Sequence, residues 1–429
     1  MNIKFVNHSS YIVQHDGVNL ICDPWLEGRV FNNGWDLISE TRLKYGDFAD
    51  ITHIWFSHEH PDHFSPPNLK NISPEHRQNI IVLFQETGDK RVVDFCRKFG
   101  FKEVIELKPD EWVSLSTDFE ILCEYYAEGD SWAAFKSKSC TVLNTNDCGI
   151  RHKNRALEIL KKVGKVDVLT TQFSYAFWAG NRDQIEYRRK LAAEKLDGLK
   201  FQVDIFNPVV TIPIASFIWF CHEENFYLND EINRPQRVYD FIKENTKSIP
   251  VVLYSGDEYK FGDEHDSTSA IERYNRDFES LKNTARLEKT KQADLTAIIE
   301  QSKKFAENLR TEYGIYARFL KPAKIFLTDY DRSFELNLES GLVESSYKFE
   351  DSDVALGSES LAYCFKFPWG TDTLQINGRL QKPTGGNYTN FYNFFRFDQL
   401  KSRDVKVDWK YIAGHLTHKV ATKLGLSSN

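Results

Sequence analysis

The chain has 429 residues, 41% hydrophobic and 27% charged, with a net charge of −7; that allows two or three domains of roughly 150 residues each and offers no basic footprint for nucleic acid. No apolar run reaches the roughly 18 residues of a membrane helix, and "MNIKFVNHSSYIV" lacks the basic leader and small-residue cleavage site of a signal peptide. Seven cysteines with no C-x-x-C pair argue against a disulfide framework and point to a reducing cytoplasm.

"IKFV", "YIVQ" and "NLICD" are short strand candidates, and Asp16-Gly17 supplies a hairpin turn between the last two. "ITHIWF" (51–56) is a continuous apolar run of buried-strand length, followed by the strand "NIIVLF" and a helix over 88–99. "WVSL", "FEILCEYY", "WAAFKS" and "CTVLNT" read as successive strands. A helix (151–163), a strand (166–171), a charged helix (182–197), the strand "VVTIPI", a helix near 234–246 and the strand "VVLYS" follow. Strands first clustered and then alternating with helices predict an α/β layered domain over 1–268. Residues 269–320 are polar and charged and suit one or two long helices as a connector. Residues 321–429 predict a small α+β C-terminal domain, with strands at "KIFLTDY", "FELNLE", "YKFEDS", "SLAYCFKF" and "DTLQING" and a final helix near 409–424.

The chemistry concentrates in "SHEHPDHF" (57–64), where three histidines, an aspartate and a glutamate occupy positions 58 to 63. The cluster begins where the buried strand 51–56 ends, and open α/β sheets place their chemistry at such carboxyl ends. His58 and His60 share a face of an extended stretch, while Pro61 turns the chain before Asp62 and His63. Two metal positions result, one at His58 and His60 and one at Asp62 and His63. A bound dication lowers the proton affinity of its ligands and so relieves their crowding.

"HIWFSHEHPDHF" resembles the second motif of the metallo-β-lactamase superfamily. That likeness implies an αββα sandwich over about residues 1 to 260. "LICDPWL" then places Asp23 as a residue orienting a ligand histidine, "VLNTNDCG" places Asp147 as the metal-bridging carboxylate, and "IASFIWFCHEENFYLN" places His222 as the last metal-binding histidine. The family has a histidine some twenty residues before the bridging aspartate, whereas this chain has none between His76 and His152. "CEYYAEGDSWAAF" offers Glu128 and Asp130 instead, and the spacing to Asp147 favours Glu128. A carboxylate in that slot shifts preference from zinc toward iron or manganese. The implied sites are His58, His60, Glu128 and Asp147, and Asp62, His63, Asp147 and His222, with Glu128 tuning the metals toward iron and Asp147 bridging them.

"TIPIASFIWFCHEENFYLND" and "DPWLEGRVFNNGWDL" are similar to the corresponding part of CMP-N-acetylneuraminate hydroxylases, and resemble the branch that contains sugar-lactone hydrolases. The hydroxylase likeness implies two iron ions, with O2 as co-substrate, in a monooxygenase that hydroxylates a small metabolite or sugar derivative. That family carries a Rieske domain whose C-x-H and C-x-x-H motif this sequence lacks, so the electrons are expected from a separate electron-transfer protein. The alternative is a zinc or manganese hydrolase of a phosphodiester, lactone or amide, acting through a metal-bridging water. Residues 172–183 should reach the same rim: Tyr175, Phe177 and Trp178 as an apolar wall, and Arg182 for an anionic substrate group. Trp35 and Trp132, the cysteines beside the motifs (Cys22, Cys148, Cys221) and His415 with His418 are expected to be packing or surface residues, and His8 a supporting group at most. Oligomeric state is left open.

Overall fold

A computed structural model describes residues 1–127, 129–283, 286–315 and 317–402. It divides into two compact units, one comprising 1–179, 184–221 and 226–288, the other 180–183, 222–225 and 289–429.

The strands of the first unit, in chain order, are β1 (Asn2–Asn7), β2 (Ser10–His15), β3 (Val18–Cys22), β4 (Trp35–Leu37), β5 (His53–Phe56), β6 (Ile81–Gln85), β7 (Glu103–Leu107), β8 (Val113–Ser116), β9 (Phe119–Tyr125), β10 (Ser131–Lys136), β11 (Thr141–Asn146), β12 (Val168–Gln172), β13 (Val210–Ile214), β14 (Ile218–Phe220), β15 (Ile249–Pro250) and β16 (Glu258–Lys260). Fourteen of them form two seven-stranded sheets, ordered β16-β1-β2-β3-β5-β6-β7 and β15-β13-β12-β11-β10-β9-β8, and β4 pairs with β14 in a separate two-stranded sheet. The sheets face each other: Trp55 meets Phe135 edge-on at 5.8 Å and donates its indole N–H to Cys123 Sγ at 3.4 Å.

The outer face of the first sheet is covered by α1 (Pro66–Asn71), α2 (Pro74–Arg77) and α3 (Arg91–Phe99), over a core containing Ile21, Ile54, Phe56, Leu69 and Val93. The second sheet carries α4 (Lys153–Val163) and α5 (Ile185–Phe206), which pack against each other, with α5 also against β12. With α6 (Pro235–Asn245) and α7 (Thr268–Ser280) these complete an αββα sandwich, as the motif resemblance implied.

The local reasons are visible in the chain. β5 is buried along its whole length because parallel neighbours flank it and both faces are covered. Asp16 and Gly17 take φ of 46° and 77°, the two left-handed residues that a tight hairpin of the right twist demands. The run "VVLYS", read as a strand, is irregular apart from the short β15 before it; the backbone N–H of Val252 is taken by the Ser267 hydroxyl at 2.9 Å.

The second unit has a five-stranded sheet made from β17 (Ala323–Leu327), β18 (Arg332–Asn337), β19 (Gly341–Ser345), β20 (Val354–Leu356) and β21 (Leu380–Gln381), ordered β19-β18-β17-β20-β21. Its helices are α8 (Leu295–Tyr313), α9 (Ser358–Lys366), α10 (Gly370–Asn377) and α11 (Tyr388–Ser402). α9 and α10 occupy "SLAYCFKF" and "DTLQING", both read as strands from sequence. In α9 the Asp329 carboxylate accepts the Ser358 backbone N–H at 3.0 Å and the Ser358 hydroxyl, and so caps the first turn. In α10 the Asn377-Gly378 pair ends a helix, Gly378 being left-handed at φ 68°. "YKFEDS" gives one short 3-10 turn, Phe349–Asp351. The final helix near 409–424, with His415 and His418, lies outside the described residues.

Candidate metal centre

Each group of the first unit's cluster stands just past the carboxyl end of a strand: Asp23 after β3, His58 to His63 after β5, and Asp147 after β11. Past Phe56 the chain enters a tight turn in which the His60 carbonyl accepts the N–H groups of His63 at 2.9 Å and Phe64 at 2.7 Å. Pro61 suits the start of that turn, since its ring fixes φ and it has no N–H to satisfy. The turn folds the three imidazoles onto one another. His58 Nε2 lies 2.9 Å from His60 Nδ1, and the His58 and His63 rings are 4.1 Å apart.

Carboxylates from distant segments join them. His63 Nε2 is 3.3 Å from Asp62 Oδ2 and 3.2 Å from Asp147 Oδ2. Asp130, in the turn between β9 and β10, lies 3.7 Å from His58 Nε2. Glu128, favoured by spacing, lies outside the described residues. Three donor groups have atoms within 4.8 Å of one another: His58, His63 and Asp147; His58, His60 and Asp130; and His8, Asp62 and His63.

A network beneath the cluster aims it. Asp23 accepts His63 Nδ1–H at 3.0 Å, which turns Nε2 toward the carboxylates. The same carboxylate accepts the Ser57 backbone N–H at 2.7 Å, the Ser57 hydroxyl at 2.8 Å and the Asn146 amide at 2.6 Å. Gln85 and Ser131 donate to the Ser57 carbonyl at 3.1 Å and 2.6 Å, and Gln85 also donates to the Gly129 carbonyl at 2.5 Å, tying the β9–β10 turn to the histidine loop.

Sequence reasoning passed over Ser57, Asn146, Gln85, Gln172 and Lys195 and gave His8 little weight. Asn146 had a signal, since asparagine tolerates the left-handed conformation it adopts at φ 45° beside Asp147. His8 had none in its spacing; it is buried at a hairpin corner with Nε2 3.2 Å from Asp62 Oδ2.

The electrostatics describe a pocket that lacks positive charge. Burial, and then the neighbouring His63 for His58 and the neighbouring His58 for His60, lowers both to about 4, so both are neutral donors at neutral pH. Burial opposes ionisation of Asp62 and Asp147, but His63 beside them outweighs it and holds both carboxyls below the usual range. Burial disfavours charge on His63 too, yet Asp62, Asp147 and Asp23 outweigh that and push it well above its ordinary value. A proton on His63 therefore neutralises carboxylates that a dication would neutralise better. The buried Asp62 Oδ1 has no hydrogen-bond partner among the described residues, which is the condition of a waiting ligand atom. The residues fit a divalent cation, and this mixed nitrogen and oxygen donor set suits iron or manganese as well as zinc.

Asp23→Ala is expected to weaken metal binding about 10- to 100-fold by freeing the His63 ring. Calorimetric titration of manganese into metal-free protein checks this; an unchanged affinity would show that the ring needs no such support.

The remaining residues are placed as follows. Tyr175 is buried and donates its hydroxyl to the Leu228 carbonyl at 2.6 Å, so only its ring is available for contact. Trp178 is half-buried beside Tyr187, at 6.3 Å between rings. Trp35 and Trp132 are buried, as are Cys22, Cys148 and Cys221. Arg182 is exposed on the segment 180–183 of the second unit, its backbone N–H donating to Gln381 at 3.0 Å. His222 is buried on segment 222–225 of that unit, where its Nδ1 accepts the Glu224 N–H at 3.2 Å. Glu224 in turn meets the buried Arg379 guanidinium at 2.6 Å.

Residues 2–195, somewhat under half of the chain, match the family model of the beta-lactamase superfamily domain. Among curated relatives, the chain is similar to the cytidine monophosphate-N-acetylneuraminic acid hydroxylase of Xenopus laevis, 27% identical over 54% of this chain and 40% of that protein. It is also similar to a Mycolicibacterium smegmatis protein named for a Rieske 2Fe-2S iron-sulfur centre, 23% identical over 56% of this chain and 48% of that one. The chain thus spans less than half the length of these relatives. Similar solved structures include CmlA, a diiron beta-hydroxylase from Streptomyces venezuelae (16% identity, 60% and 54% covered, TM-score 0.43), and an isothiocyanate hydrolase from Delia radicum gut bacteria (12%, 61% and 99%, TM-score 0.44). Among the described residues, no helix is long and apolar enough to cross a membrane.

Proposed function

We propose that this chain is a binuclear-metal oxygenase that hydroxylates a small metabolite or sugar derivative, taking electrons from a separate protein. The observation that carries the reading is the convergence of His58, His60 and Asp130 beside His63, Asp62 and Asp147. A carboxylate stands beside His58 and His60, where a histidine would favour zinc. The name of the Xenopus laevis relative supports the same chemistry. His222, from the order of the motifs, and Glu128, from its spacing to Asp147, are proposed as further ligands.

Bound by these groups, a pair of iron ions would supply the redox chemistry that lets O2 react with a C–H bond. Hydroxylation inserts one oxygen atom into that bond and reduces the other to water, consuming two electrons and two protons. The chain's own residues prepare the site for it. Asp23 orients His63, Gln172 donates to Asp147 Oδ1 at 3.1 Å, and the rings of Trp25 and Phe31 lie edge-on to His8 at 5.5 Å and His60 at 5.8 Å, limiting water at those imidazoles.

Protein expressed in iron-rich medium and purified without oxygen is expected to hold about two irons per chain, with a Mössbauer signal of coupled ferrous ions that changes on exposure to O2. Retention of zinc or manganese with no response to O2 would replace this reading with the hydrolytic one.

A further inference from the structure

One cation beside the cluster has no part in holding it. Lys195 projects from α5 toward β12, and its ammonium donates to Oε1 of Gln172. Gln172 uses the other end of its amide to donate to Asp147 Oδ1 at 3.1 Å and to the Ala215 carbonyl at 3.3 Å. The amide therefore stands between ammonium and carboxylate and keeps Lys195 from closing an ion pair on Asp147. Among the described residues Lys195 makes no ion pair and one hydrogen bond, and the Phe177 ring lies 5.7 Å from its Nζ. Burial lowers Lys195 to about 8, although Asp147 and Asp130 pull the other way; the nearby Arg151 adds to the lowering.

A desolvated ammonium is costly unless a counter-charge meets it. Pairing with Asp147 would have been the obvious remedy, yet the fold interposes a neutral amide. Lys195 is half-buried, and two of its three ammonium protons make no hydrogen bond among the described residues, so they are open to a group that enters from the cluster side. Uptake of dications would neutralise the carboxylates of the cluster and leave Lys195, with Arg151 behind it, as uncompensated positive charge.

We propose that Lys195 anchors an anionic oxygen group of the substrate, a carboxylate or phosphate, at the edge of the metal cluster. This rests on the metal-centre reading and adds the substrate class to it. Gln172 is the positioning residue, holding the ammonium beside the cluster without quenching it.

The test uses wild-type protein, Lys195→Met and Lys195→Arg, each loaded with manganese and assayed for metal content. Each is then titrated calorimetrically with inorganic phosphate. All three are expected to hold the same metal. Lys195→Met should bind phosphate at least about tenfold more weakly than wild type, and Lys195→Arg within about threefold of it, since the charge is kept. Equal phosphate affinity in wild type and Lys195→Met, at equal metal content, overturns the anchor and leaves the metal centre standing. Loss of metal from Lys195→Met alone would make Lys195 a support of the cluster and also overturns the anchor. A wild type that takes up no manganese overturns the metal-centre reading, and the anchor with it.

Discussion

Asp147→Asn protein is expected to lose metal binding by at least about 100-fold, more than the loss of an orienting group costs. Asp147 brings an ionised carboxylate from the second sheet to within 3.2 Å of His63 Nε2 on a loop of the first. An amide keeps the size and the contact with Gln172 but removes the charge, and a neutral amide is a poor ligand beside imidazole for a transition metal. The metal-free fold should tolerate the change. Burial already opposes ionisation of Asp147, so removing the charge lifts a desolvation cost at the same time as it weakens His63. The measurement is metal stoichiometry by elemental analysis, with melting curves of both proteins with and without manganese. Wild-type metal content in the variant would exclude Asp147 as a ligand.

The metal-free protein is expected to lose stability steadily as pH falls from about 6.5 toward 4. His53, His58 and His60 are each lowered to about 4 in the fold, chiefly by burial, from an ordinary 6.5. Between those values the unfolded chain binds protons that the folded chain refuses, so stability rises with pH through the window and is lost on acidification. His63 has the opposite sign. Its raised value contributes stability that is fully present below 6.5 and lost as pH climbs through the folded value. Asp62 and Asp147, lowered in the fold, contribute stability present above their ordinary carboxylate range and lost only at more acidic pH. Three lowered histidines against one raised histidine make the acid-side loss the larger effect. Melting temperatures of metal-free protein should fall continuously from pH 6.5 to 4.5. His53→Gln, away from the cluster on β5, should flatten the slope by roughly a third, since one of three equal contributors is gone. A flat profile in the wild type would show that these histidines charge freely within the fold.

The histidine cluster was legible because its members are adjacent in the chain and follow an apolar run that can only be a buried strand. Asp23 and Asp147 were findable through the motif resemblance, each following a strand that its own composition marks. The turn supplying Asp130 was harder to read. The spacing to Asp147 favoured Glu128, which lies outside the described residues; Asp130, two positions on in the sequence, lies 3.7 Å from His58 Nε2. In the second unit, "SLAYCFKF" alternates apolar residues as a strand would, and the capping contact from Asp329, 29 positions earlier, belongs to a helix instead.

By itself, then, the order of residues determined most strands and helices of the first unit and the loop that carries the imidazoles, which follow from period, turn chemistry and spacing over a few residues; the sandwich of two sheets and the carboxylates Asp23 and Asp147 came through the motif resemblance. Only the tertiary structure decided that His8 meets Asp62, that Asn146 and Ser57 share the Asp23 carboxylate, and that Gln172 stands between Lys195 and Asp147. Those partners lie between 23 and 123 positions apart. Which of them touch is set by how two sheets and a helix pack, and no local pattern encodes that.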